Sequence, residues 1–76
     1  AGNSQAALEA YNRFIQAHPE DPMTPKAYLM AAQIFHEKMM STDRAVKVLR
    51  RLIKSYPDHE VAGYATKYLR KLEQGA

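Results

Sequence analysis

Apolar residues recur along this chain at three- and four-residue spacing, and nowhere do apolar and polar residues alternate over the length of a strand. Four segments carry the helical period. The first runs from about Ser4 to Ala17, with Ala7, Leu8, Tyr11, Phe14 and Ile15 on one stripe. Asn3 or Ser4 is placed to cap it, and His18-Pro19 closes it, because the residue before a proline is pushed out of the α region. The second starts near Asp21-Pro22, with Asp21 as N-cap and Pro22 as first helical residue, or at the competing Thr24-Pro25. It continues through Ala27, Tyr28, Ala31, Ala32, Ile34 and Phe35 to about Met39. The third runs from about Asp43 to Ser55 with Ala45, Val48, Leu49, Leu52 and Ile53 on its apolar face. Ser41 or Thr42 caps it, and Asp43 sits favourably against the N-terminal dipole. Tyr56-Pro57 ends it as His18-Pro19 ends the first. The fourth begins near Asp58 or His59 and runs to about Glu73, with Ala62, Ala65, Tyr68, Leu69 and Leu72 inward and Gly75 past its end. Short connections predict antiparallel neighbours, and hence an all-α fold of four antiparallel helices.

The chain also repeats itself. A shift of 38 positions lays Ala7 on Ala45, Tyr11 on Leu49, Phe14 on Leu52, Ile15 on Ile53, Arg13 on Arg51 and Pro19 on Pro57. The acid after the proline recurs as Glu20 and Asp58. A period of this size signals stacked helical hairpins, each burying one face within itself and another against its neighbour. The alanines permit close helix approach, the larger residues fill the groove, and the proline fixes the helix length.

With these residues the chain resembles the tetratricopeptide repeat (TPR) family. Ala7/Tyr11/Phe14/Pro19 and Ala45/Leu49/Leu52/Pro57 both follow that family's second-helix spacing. Tyr28, Ala31, Ala32 and Phe35 stand at the first-helix positions, with Ala32 in place of the usual glycine. Phe14 and Leu52 depart from the family's smaller residue at their position, and the turn after the second segment is about one residue longer than usual. The resemblance implies an array of about one and a half to two repeats: one second helix, a full repeat at about 23–57, and a further first-type or capping helix. The phrasing is similar to the repeats of bacterial envelope-assembly TPR proteins. The resemblance further implies a scaffold role in which a concave groove, lined by first helices, receives a peptide or helix of a protein partner. Its positions here would be Lys26, Leu29, Gln33, His36 and Glu37, followed by Lys67 and Arg70. The basic and Asn constellation that clamps a C-terminal carboxylate in chaperone-binding relatives is absent.

Composition narrows the alternatives. With 76 residues the chain is one small domain, 1–76, and starting at Ala1 it reads as a fragment of a longer protein. There is no Cys, so disulfide scaffolds and thiol chemistry are excluded. No apolar run approaches the roughly 18–20 residues of a membrane span. Compartment stays open between bacterial periplasm and cytoplasm.

Catalysis finds no constellation. Ser4, Ser41, Ser55, Thr24, Thr42 and Thr66 fall at caps or on helix surfaces, with no strand-to-helix nucleophile elbow. Glu20, Asp21, Asp58 and Glu60 cluster at helix starts, where the dipole explains them. The only glycines, Gly2, Gly63 and Gly75, build no phosphate loop. His18, His36 and His59 lie too far apart for a helical metal pair, so neither a metal nor a cofactor is expected. His18 reads as a packing residue before its proline, His36 and His59 as surface residues.

A net charge of +3 permits an acidic partner without demanding one. Arg44, Lys47, Arg51 and Lys54 recur at helical spacing and form a basic face: a solvated surface first, a patch for an acidic partner second. Nucleic acid is the weakest of the partner classes, because the aromatics interleave with the core stripe and not with the charges. Met30, Met39 and Met40 read as core or as a soft partner surface. Because about three repeats are usually needed to bury a continuous core, self-association or stacking on a longer chain is the structural alternative.

Overall fold

A computed structural model describes residues 3–75. It contains four α-helices and, among the described residues, no strand: α1 (Asn3–Ala17), α2 (Thr24–Glu37), α3 (Thr42–Ser55) and α4 (Glu60–Gly75). The central element is α2, which packs on α1, α3 and α4. In turn α3 packs on α4, whereas α1 touches α2 alone. The core is therefore off-centre. Ala32 of α2, Ala45, Leu49 and Leu52 of α3, and Ala65 and Leu72 of α4 form one buried cluster. Small residues at Ala32, Ala45 and Ala65, all fully buried, let the three backbones approach closely while Leu49 and Leu52 fill the space between them. No α1 residue is buried.

The helix ends show which local signals prevailed. For α2 the Thr24-Pro25 start wins over Asp21-Pro22. Asp21 closes the preceding turn instead, its carboxylate accepting the Met23 N–H at 2.8 Å. Thr24 was expected at a cap or surface but is fully buried with Pro25, and its hydroxyl donates to the His18 carbonyl. Burial of this pair fixes the helix start, and proline in the first turn loses no intrahelical bond.

The α2 helix ends at Glu37, before the expected Met39. Lys38 and Met39 both donate to the Ile34 carbonyl, at 2.9 and 3.1 Å, and Met40 turns left-handed at φ 52°. Ser41 then donates to Phe35 O at 2.7 Å. These bonds occupy the orphan carbonyls of the last turn. Ser41 is the N-cap residue of α3, without a side-chain capping bond.

Helix α4 starts at Glu60, just beyond the expected point. The His59 imidazole acts as its cap, Nδ1 accepting the Val61 N–H at 3.1 Å. It runs through Gly75, which was expected beyond its end. At the other terminus Asn3 and Ser4 already lie inside α1, so any cap falls outside the described residues.

One long-range bond ties the two proline corners together. The Tyr56 hydroxyl donates to the Pro19 carbonyl at 2.6 Å, and the Tyr56 ring packs against Tyr28 with centroids 5.9 Å apart. The C-terminal ends of α1 and α3 thus lie at the same end of the molecule, as two copies of one repeat element require.

Candidate functional site

Among the described residues, two open depressions stand out on the surface. The smaller, about 420 Å³, lies where the end of α2 meets the second half of α4. His36 stands edge-on to Tyr68, with ring centroids 6.0 Å apart and planes at 81°. The Thr42 hydroxyl lies 3.4 Å from His36 Nδ1. Glu37, Lys71 and Leu72 complete the walls. The Tyr68 hydroxyl is shut off from solvent and has no hydrogen-bond partner among the described residues. Burial pushes the Tyr68 phenol above its ordinary pKa, and the Glu37 carboxylate adds to the rise.

The residues expected to line a concave groove distribute unevenly around this depression. His36 and Glu37 line it together. His36 is half-buried there, so its surface reading gives way to packing against Tyr68. Leu29 is half-buried and packs against the core cluster, while Gln33 is half-buried beside it on α2. Lys26, Lys67 and Arg70 are exposed and stand outside the depression. Thr42, Tyr68 and Lys71 belong to it and were not expected there. Tyr68 carries a core-like spacing, which hides its polar tip from any sequence-level reading.

The larger depression, about 470 Å³, lies between α1 and α3 over α2. These two helices do not touch, so the surface of α2 between them stays open. Its floor is Tyr28, Ala31 and Phe35, with Leu8, Ile15 and Val48 at its edges. The α1 wall carries Gln5, Glu9, Asn12 and Gln16, and the α3 wall carries Arg44, Lys47 and Arg51. Three of the four basic-face residues therefore line one groove, while Lys54 is exposed outside it. Among the described residues the one ion pair joins Arg50 to Glu73 at 2.7 Å, so the groove's three cations are unpaired. The spacing of Arg44, Lys47 and Arg51 is legible in the sequence. Their juxtaposition with an apolar floor on another helix is not.

Among the described residues no group of three His, Cys, Asp or Glu is placed to hold a metal ion. No helix among the described residues is long and apolar enough to cross a membrane.

A tetratricopeptide repeat family model matches residues 1–21 and 26–59, most of the chain. This chain belongs to the tetratricopeptide repeat family. The longer match is the α2–α3 hairpin, one full repeat; the shorter spans α1, the second helix of the repeat before it. Within this TPR array α4 stands where the first helix of the next repeat would pack, on α3 and against α2. No curated protein and no solved structure matches the chain. TPR repeats generally mediate protein–protein interaction and scaffolding, and the family is typically non-catalytic.

Proposed function

We propose that this chain is a non-catalytic interaction domain whose α2–α4 side receives a peptide or helix from a protein partner. Its family membership carries the proposal. The open depression at the end of α2 supports it, with the His36–Tyr68 pair offering an aromatic contact and Glu37 and Lys71 offering charges of both signs. Gln33, Lys67 and Arg70 flank it as solvent-accessible polar contacts.

Substitution separates binding from folding. Leu29 packs on the core, so Leu29→Glu would report on stability rather than on partner capture. The combined Gln33→Ala, Lys67→Glu and Arg70→Glu variant leaves the core untouched. The immobilised domain is expected to retain a specific protein after nuclease treatment, and this variant to lose it while its helical circular-dichroism signal survives. Retention that disappears with nuclease, or that ignores all three substitutions, contradicts the assignment.

A second reading is structural: the domain stacks on another copy or on further repeats. It is favoured by α1, whose apolar stripe has no buried residue although its counterpart on α3 is enclosed. A monomer mass that stays constant up to millimolar concentration in sedimentation contradicts self-association.

A further inference from the structure

We propose that the groove between α1 and α3 is a second docking surface, and that its occupant is an acidic amphipathic helix of a partner protein. Its walls are α1 and α3, and it shares α2 with the α2–α4 surface, presenting Tyr28, Ala31 and Phe35 where that surface presents His36 and Glu37. Its floor is apolar and aromatic, made by Tyr28, Ala31 and Phe35. A helix seated there would cover this floor with an apolar stripe. The groove's two walls differ in charge. Arg44, Lys47 and Arg51 stand along one wall at successive turns of α3 and have no ion-pair partner among the described residues. The opposite wall is mainly amide, with Glu9 its single charge.

This asymmetry selects the occupant. A helix with acids on one flank of its apolar stripe would place them against α3, and its polar residues on the other flank would meet Gln5, Asn12 and Gln16. A nucleic-acid backbone gains little from an apolar floor and meets a carboxylate on the α1 wall. From Gln5 to Gln16 the wall is about 17 Å long at 1.5 Å per residue, room for roughly three helical turns.

The test uses two synthetic helical peptides of about 14 residues. One carries a leucine stripe flanked on one side by Glu; its twin has Lys at the same positions. Each is titrated into the isotopically labelled chain while amide resonances are followed. The acidic peptide is expected to shift amides along Gln5–Gln16 and Arg44–Arg51, and the Lys twin to bind about tenfold more weakly. The exposed substitutions Arg44→Glu, Lys47→Glu and Arg51→Glu, introduced together, should invert the preference without changing the melting temperature by more than a few degrees.

Equal binding of the two peptides overturns the proposal, as does absence of shifts along α1 and α3 at millimolar peptide. So does a single-stranded DNA 12-mer that occupies the same amides more tightly than the acidic peptide. Shifts of these amides with protein concentration alone would identify a second copy as the occupant and would also overturn it. Shifts confined to α2 and α4 would support the other surface and overturn this one, so the two assignments fail separately.

Discussion

Helices α1 and α3 are two copies of one sequence element in two environments. Ala45, Leu49 and Leu52 of α3 have no exposed surface, because α3 lies against both α2 and α4. Their counterparts Ala7, Tyr11 and Phe14 are half-buried, because α1 has α2 on one side and solvent on the other. Residue spacing thus sets which stripe of a repeat helix is apolar, while position in the array sets how far that stripe is enclosed. Stability therefore concentrates in α2, α3 and α4, and α1 is held by one interface and by the corner that Tyr56 clasps through Pro19.

The sharpest way to break the comparison is to truncate matched positions. Leu52→Ala removes a fully enclosed side chain and leaves a cavity, so it is expected to cost about 3 kcal/mol. Phe14→Ala, at the equivalent place on α1, leaves a notch that solvent fills and should cost about 1 kcal/mol. Urea melts of both variants check this, and equal losses would mean that α1 is enclosed as fully as α3.

The two proline corners give a smaller contrast. Tyr56→Phe deletes the hydrogen bond to Pro19 O and should cost about 1 kcal/mol. His18→Ala, at the matching position, removes only an exposed ring resting on Phe14 and should change stability by a few tenths of a kcal/mol. Thermal melts that rank these two in the opposite order would contradict the clasp.

The smallest effect concerns Tyr68, whose enclosed hydroxyl has no hydrogen-bond partner among the described residues. Tyr68→Phe should leave stability at pH 7 unchanged or raise it by up to about 1 kcal/mol. Its phenol pKa is raised above 10.0 in the folded chain, first by burial and then by Glu37. The folded state therefore holds that proton more tightly than the unfolded one. The corresponding stability is intact below pH 10.0 and falls as pH rises through the folded value. Melting curves on either side of that pH should show the advantage of Tyr68→Phe growing in alkali; a constant difference would contradict the assignment.

Much of the fold was legible in the sequence. Apolar period placed all four helices, and the recurrence of Ala, a large residue and Pro at fixed spacing identified the repeat. What escaped was set by tertiary packing. Asp21-Pro22 and Thr24-Pro25 are comparable helix starts locally, and burial of Thr24 and Pro25 decides between them. The early end of α2 rests on a left-handed Met40, a residue type that gives no such signal. Of the surfaces, the basic stripe was readable because its members share one helix. The groove that three of them line was not, because its floor and far wall come from residues of α1 and α2 that no spacing rule connects to α3.

Native-state hydrogen exchange, read helix by helix, tests the central claim most directly. The α3 amides facing the core are predicted to exchange only through global unfolding, while those of α1 exchange through a local opening of lower free energy. Protection of α1 equal to that of α3, with the same dependence on denaturant, would contradict the account, because both copies would then unfold as one enclosed unit.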